Sequence, residues 1–475
     1  MDYRLIAPEI VLFIWSLFIL FLGLWANDRN HRLVGFMGLI GLVIALWLSA
    51  TTPDGKFFGD TFISDSYSRA FKMIMLLSAI LTIIISMDFA STRLVNRAEY
   101  YGIILMCTTG MMFLSSAGEL ISLYVALELS TISLYILASF MKKDLKSTEA
   151  GLKYLILGAA SSGMLLYGLS LIYGLTGTTV IDDISYRLVL GPGTAMAVVF
   201  AIVMFLAGFG FKLAAAPFHM WAPDVYEGAP TPITAYLSVA SKAAGLVAFV
   251  RIFFNSLFIV RAEWVVMIEV LAVLAMIVGN VVALLQKNIK RMLAYSSIAQ
   301  VGYVLVAIAA GIDLSIGSMM IFLLAYLFAN IGAFTVVIGI TNFTRSDNIE
   351  DFCGLWKRSP STAVIMTIFM LSLVGIPLTG GFIGKYFLFG AAVKEGLYGI
   401  VIVAVLTSVI SLFYYMNVVR VMMFLPPKST EKIPLPNLIR FGLLLSVAMV
   451  LIIGILPDLF YRWGMSAAAP FRFLP

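Results

Sequence analysis

Apolar runs separated by short polar stretches recur along the whole chain. They fall at 5–25, 33–50, 70–87, 100–117, 119–140, 153–175, 194–217, 233–255, 264–285, 293–311, 316–342, 361–391, 399–425 and 438–456. A helix that crosses a bilayer needs about 20 mostly apolar residues, so each run predicts one spanning helix and the set predicts about fourteen. The run 361–391 is too long for one straight helix. It contains Gly375-Ile376-Pro377 and then Gly380-Gly381. Proline removes a helical N–H and glycine loosens the backbone, so this helix is predicted to break at Pro377, Gly380 and Gly381. The run 194–217 carries a softer break at Gly208 and Gly210, with Pro217 at its end.

Composition narrows the class. Of 475 residues, 61% are hydrophobic and 12% are charged, against about 45–50% and about 25% in soluble domains. A soluble globular protein is excluded. The expected architecture is all-α and polytopic, one membrane domain over 1–475 with short loops. The net charge of +6 is spread over those loops, which reads as an orientation signal and not as nucleic-acid binding. Cys107 and Cys353 form no metal-spaced pair, and His31 and His219 lie far apart, so no zinc, iron–sulfur or haem site is expected. No phosphate-cradling or dinucleotide motif is present. The chain has equipment to move something across a membrane and none to move electrons. The opening MDYRLIAPEIVLF shows no cleavage signature and reads as a retained span.

Loop charges predict orientation. The loops after the odd-numbered runs carry fifteen lysines and arginines, from Arg29 to Lys432, against eight on the other side, from Arg4 to Arg472. The positive-inside rule then places both termini outside, as an even number of spans requires. A faint repeat also shows. Gly208-Phe209-Gly210-Phe211-Lys212 matches Gly381-Phe382-Ile383-Gly384-Lys385 as G-F-x-x-K, five runs apart. An odd offset implies inverted repeats, and interrupted helices in such repeats point to a transport site. The expected division is N-terminal helices 1–3 in 1–99, a first repeat of helices 4–8 in 100–255, a second of helices 9–13 in 264–425, and helix 14 with its tail in 438–475. The broken helices would be the seventh and the twelfth.

Charges inside spans are the informative residues. Each costs roughly 2.5–3.5 kcal/mol at mid-helix. Glu128 sits in LYVALELSTISLYIL, Lys212 in the last third of its run, Lys242 in the middle of SVASKAAGLVAF, and Lys385 just past the Pro-Gly break. One reading is a structural Glu128–lysine ion pair with the other lysines snorkelling. Snorkelling suits Lys72 and Arg251 near run ends and fits Lys242 badly. The other reading is a proton relay. Burial disfavours the charged form of both residue types, so a lysine and a carboxylate can exchange protons. Such chains carry protons through membrane pumps. His219, seven residues after Lys212, is a relay member or a packing residue beside Pro217. Lys153, at the start of its run, is a relay member or a snorkelling residue.

Three stretches resemble a known family. They are FGFKLAAAPFHMWAPDVYEGAPTPITAYLS (209–238), QKNIKRMLAYSSIAQVGY (286–303) and GIPLTGGFIGKYFLF (375–389). Together, in this order and with the fourteen runs, they are similar to the antiporter-like membrane subunits of respiratory complex I. The chain stops soon after its last run, unlike the sister subunit with a long lateral helix. The resemblance implies that Glu128 is the fifth-helix carboxylate paired with Lys212, that Lys242 connects, and that Lys385 is the terminal lysine. It likens Lys153 to a sixth-helix lysine and His219 to a central-axis histidine. It implies protons as cargo, and as partners sister antiporter-like and small membrane subunits with lipid. FMN, iron–sulfur clusters and quinone would belong to partner subunits, in a bacterial cytoplasmic membrane. The same residues occur in multi-subunit cation/proton antiporters and membrane hydrogenases, and a passive membrane anchor is the non-transport alternative.

Overall fold

The computed structural model describes residues 2–24, 31–190, 195–429 and 431–471. Arg29 and Arg472, both counted in the charge asymmetry, lie outside them.

Helices follow the apolar runs. The first part of the chain forms α1 (Ala7–Leu22), α2 (His31–Thr51), α3 (Ser66–Arg93), α4 (Arg97–Ser115), α5 (Leu120–Ala138) and α6 (Leu145–Thr176). The middle forms α7 (Ile181–Leu190), α8 (Ala195–Leu213), α9 (Trp221–Gly228), α10 (Thr231–Tyr236), α11 (Lys242–Arg251), α12 (Arg261–Ala283), α13 (Ile289–Ala310) and α14 (Ile312–Thr344). The remainder is α15 (Leu355–Arg358), α16 (Pro360–Val374), α17 (Gly380–Lys394), α18 (Tyr398–Phe424), α19 (Asn437–Ile455) and α20 (Pro457–Ala467). Among the described residues, eleven helical segments are long and apolar enough to cross a membrane, and α1 and α16 are shorter apolar helices.

The loop after α2 is not a plain connection. Gly55–Phe57 (β1) and Phe62–Ser64 (β2) pair as an antiparallel hairpin, whose Phe62 bridges to Ala117. The all-α expectation misses this small element, which is too short to show an alternating pattern.

Two spans form the centre. The segment Thr231–Ser256 and helix α14 are enclosed by other helices along their apolar lengths. The segment Thr231–Ser256 is not a uniform α-helix. A π turn, Leu237–Ser241, separates α10 from α11, and a second, Ile252–Ser256, ends α11. A π turn adds a residue to the helical ring and so rotates the side chains beyond it.

The run 361–391 is interrupted between Val374 and Gly380. Gly375 closes α16 in the left-handed region (φ +94°), its N–H bonding Leu371 O at 3.0 Å. This is a glycine C-terminus in the usual sense. Pro377 lies in the interruption, and Gly380-Gly381 open α17. At Gly381 the chain passes over the last turn of α16 so closely that a Cβ would sit 1.8 Å from Ser372 O. Gly381→Ala is therefore expected to destabilise by about 1–3 kcal/mol, as overpacking does. Gly390→Ala, which meets nothing within 4 Å, serves as the control. Thermal midpoints of the two purified variants check this, and equal midpoints would contradict the close crossing.

The seventh run breaks elsewhere than expected. Helix α8 continues through Gly208 and Gly210 to Leu213. Those glycines serve packing. A Cβ on Gly208 would lie 2.7 Å from Leu165 Cβ of α6, and one on Gly210 would lie 2.6 Å from Phe218. The interruption is 214–220. It begins at Ala214, in the left-handed region at φ +57°, and Trp221 Nε1 donates back to Phe211 O at 2.9 Å. The G-F-x-x-K match thus places Lys212 before its interruption and Lys385 after its own.

Candidate functional site

Lys212 lies in the last turn of α8, 4% exposed. Its Nζ donates to Thr131 Oγ1 of α5 at 2.7 Å. Glu128 stands one turn before Thr131, within electrostatic reach of Lys212. Among the described residues the two form no ion pair within 4 Å. Glu128 is half-buried on the flank of α5 that carries the exposed Ile121, Val125 and Ile132, and its Oε1 has no hydrogen-bond partner. The Lys212 stem lies against α11, since a Cβ on Gly245 would be 3.1 Å from Lys212 Cγ. Gly245 is three residues beyond Lys242, so the first two lysines meet the same helix one turn apart.

Lys242 opens α11 directly after the π turn and is 3% exposed. It donates to Ser297 O at 2.7 Å and Ser297 Oγ at 2.9 Å, both on α13. Lys385, in the second turn of α17, is 5% exposed. It donates to Leu373 O at 3.1 Å, Val374 O at 2.8 Å and Ser408 Oγ at 3.0 Å. Two of these acceptors are the terminal carbonyls of α16, where the helix dipole favours a cation. The amine also lies 4.6 Å from the Tyr303 ring centroid. An ammonium offers three donors, and Lys385 has an acceptor for each, whereas Lys212 has one.

Two further buried cations, Lys72 and Arg251, follow another rule. Lys72 and Arg251 do not snorkel. Lys72 is 1% exposed and pairs with Glu9, 0% exposed, at 2.6 Å. Arg251 donates to Asp65 Oδ2 at 2.7 Å and Oδ1 at 3.2 Å, and to Ser115 O at 3.2 Å. Each packs inside the bundle between elements that supply a carboxylate, so neither needs to reach the surface.

The structure does not bring Lys153 or His219 to the three lysines. Lys153, partly exposed, pairs with Glu149 at 2.8 Å and Asp224 at 2.7 Å. Arg291 binds the same Asp224 at 2.7 Å and Glu227 at 3.1 Å, and Lys146 binds Glu227 at 2.9 Å. This network fastens α9 between α6 and α13. His219 falls in the interruption after α8, so it is not two helical turns from Lys212. Its ring faces Tyr295 at 6.4 Å and its Nδ1 is buried without a partner. Among the described residues no three His, Cys, Asp or Glu side chains stand together to hold a metal ion.

The α9 network sets a pH dependence. Burial pushes Asp224 and Glu227 up, but hydrogen bonds from Lys153 and Arg291 to the first, and from Lys146 and Arg291 to the second, hold both below the usual carboxylate range. A lowered folded value means stabilisation above the unfolded value, lost as pH falls through the folded one. Amide exchange across 221–228, taken relative to the intrinsic rate at each pH, is expected to stay slow at neutral pH and to quicken only below the ordinary carboxylate range. Asp224→Asn should quicken it at neutral pH. Exchange that ignores both changes would show that the network does not hold α9.

Several residues at the site carry no sequence signal of their own. Thr131, Ser297, Ser408 and Tyr303 belong to types common in spans. Glu9 did offer a signal, as an acid inside LIAPEIVLF, but its place beside Pro8 makes it look like a span edge.

With this geometry in hand, the comparisons with known proteins are specific. Residues 117–411 match the family described as NADH:quinone oxidoreductase/Mrp antiporter, TM. The chain is 41% identical over 472 residues to NADH-quinone oxidoreductase subunit N of Desulforamulus reducens, covering 99% of both. Its fold is similar to a chain of respiratory complex I from Thermus thermophilus, with a TM-score of 0.82, 32% identity, and 96% and 98% of the two chains covered. It also shares its fold with a chain of the Mrp complex from Dietzia sp., with a TM-score of 0.86 at 19% identity, covering 100% of this chain and 98% of that one.

Proposed function

Because the chain belongs to the NADH:quinone oxidoreductase/Mrp antiporter family of transmembrane subunits, we propose that it works as the proton-translocating subunit N of a membrane-bound NADH–quinone oxidoreductase. One observation carries the relay. Among the described residues, Lys72 and Arg251 have carboxylate partners, and Lys212, Lys242 and Lys385 are buried on hydroxyls and carbonyls alone. A paired cation has a fixed counter-charge beside it, whereas an amine on neutral acceptors has none, which suits it to pass a proton on. The proton passes from Lys212 by Lys242 to Lys385, and Glu128 biases the first step from α5, one turn before Thr131.

The finer architecture belongs to the same proposal. The chain crosses the membrane fourteen times, both termini outside, with 100–255 and 264–425 as inverted five-helix repeats. The interruptions at 214–220 and 375–379, one in each repeat, support this reading. An open cavity of about 580 Å³, lined by Arg93, Lys290, Arg345 and Thr231 among others, reaches the start of α10 and supplies an inlet on the cationic side. Lys153 and His219, which do not line that cavity, would serve the relay from beside α9, Lys153 through its pair with Asp224. Flavin, iron–sulfur clusters and quinone reside in partner subunits, and their chemistry drives the relay from outside this chain.

The test is purification of the native complex in mild detergent, with partner identification by mass spectrometry and assays for flavin and iron. Flavin and iron–sulfur partners are expected. A complex of membrane subunits free of iron would instead assign the chain to a cation/proton antiporter.

A further inference from the structure

The cavity of about 580 Å³ at the start of α10 gathers more positive charge than its own acids balance. Six of its lining residues are cations, Arg93, Lys146, Lys287, Lys290, Arg291 and Arg345, against three acids, Asp144, Glu227 and Asp347. The acids are already engaged. Glu227 takes Lys146 at 2.9 Å and Arg291 at 3.1 Å, and Asp347 takes Lys290 at 3.2 Å. Asp144 caps α6 by accepting from Lys146 N at 3.0 Å. Among the described residues, the side chains of Arg93, Lys287 and Arg345 make no ion pair and no hydrogen bond, and Arg93 Nε is buried in that state.

Local backbone preference does not account for these cations. Lys290 and Arg291 stand in the first turn of α13, which holds no acid, although the helix dipole disfavours a cation there. Arg345 ends α14 in the left-handed region at φ +60°, where glycine is the usual residue. Arg93 ends α3, half-buried, and Arg345 acts on it electrostatically. Asp144 and Asp347 act on it too, from beyond ion-pair distance. Like charges gathered in one cavity repel, and an anion among them turns that repulsion into attraction.

We propose that this cavity is a binding site for a doubly charged phosphate group. A planar carboxylate fills one guanidinium fork, whereas a phosphate dianion offers three strong acceptor oxygens, which suits a cavity with three unmatched cations. Basic pockets between membrane helices bind phosphate headgroups on the same grounds. The spans that start or end on the cavity, Ser66–Arg93, Thr231–Ser256, Ile289–Ala310 and Leu314–Thr344, are the most enclosed of the eleven. The site therefore opens to water between helix ends and not to acyl chains, which favours a soluble phosphate over a lipid headgroup. Binding there stands without the lysine relay. Its consequence for transport rests on that reading: an occupied site cancels the positive excess at the inlet, which otherwise repels incoming protons.

The test uses the purified native complex, washed free of phosphate, and reads amide exchange across 286–291 and 341–348 by mass spectrometry. Inorganic phosphate is the probe, with chloride at equal ionic strength as the reference. At about ten times its dissociation constant, phosphate is expected to slow exchange there about tenfold, since binding lowers local opening by one plus that ratio. Arg345→Gly, which suits the left-handed backbone, and Arg93→Gln should each weaken binding about tenfold or more, as losing a charged hydrogen-bond donor does. Arg93→Lys keeps the charge and should retain most of the protection. Vesicles of phosphatidylcholine with and without phosphatidylglycerol separate the two sources. Protection that needs phosphatidylglycerol and ignores added phosphate would keep the phosphate site and assign it to a headgroup. Should Arg93→Gln fail to assemble, Arg345→Gly decides. No protection from either source, equal protection by chloride, or protection unchanged in Arg345→Gly would overturn the site. Parental pumping in Lys212→Met would overturn the relay and leave this protection untouched.

Discussion

Replacing Lys212 with methionine is expected to slow proton passage through this chain steeply while leaving the complex assembled. The amine makes a single hydrogen bond, to Thr131 Oγ1. Thr131 keeps its own bond to Leu127 O at 2.7 Å when the amine is gone, so no buried hydroxyl is orphaned. Methionine is flexible, of similar length and at ease beside Gly245. The stability cost is therefore small. The transport cost is large, since a proton crossing that turn of α8 has no amine to rest on. A charge at mid-helix costs roughly 2.5–3.5 kcal/mol, which slows passage roughly a hundredfold. Vesicles holding the purified complex measure this as protons moved per NADH oxidised, with assembly checked by its size in detergent. A wild-type ratio at wild-type turnover in Lys212→Met would sink the relay.

Much of this arrangement is legible in the sequence, because membrane helices obey a simple rule. An apolar run long enough to span becomes a helix, and a lysine inside it has no water to reach. Lys212, Lys242 and Lys385 stand out in the chain for that reason. Partnership is not readable. Whether Lys72 snorkels or pairs depends on Glu9, which lies on another helix far away in the chain. The fate of Lys153 likewise depends on Asp224 and Arg291, both on other helices. Glycines are ambiguous for the same reason. Gly381 marks a real interruption and Gly208 does not, and the difference lies in what stands opposite, Ser372 O in one case and Leu165 in the other. Hydroxyls are the least legible of all. Serine and threonine bond to their own helix in most spans, and only the packing of α5, α13 and α18 shows which of them meet an amine.

Glu9→Ala is expected to be the most destabilising single substitution among the charged residues of the bundle. It leaves Lys72 buried at 1% exposure, 5.1 Å from the Phe62 ring, with no other ion-pair partner among the described residues. Breaking a buried ion pair from one side costs about 3–5 kcal/mol. Replacing both partners, Glu9→Met with Lys72→Met, removes both desolvation penalties and should restore most or all of the loss, since apolar substitutes for a buried pair are often neutral or better. Thermal midpoints and assembly yields of the single and double variants measure this. A single variant as stable as the parent would mean that water reaches Lys72 and that the pair is not closed off. The comparison also bears on transport. Glu9 and Lys72 join α1 to α3 and bind none of the three relay lysines, so the double variant should pump at the parental rate. On the proposed relay Lys212 is the reverse case, expected to be dispensable for folding and needed for passage. Under the proposed relay, the buried Lys72 with an acid beside it belongs to the framework, and the buried Lys212 amine on a neutral acceptor belongs to the path.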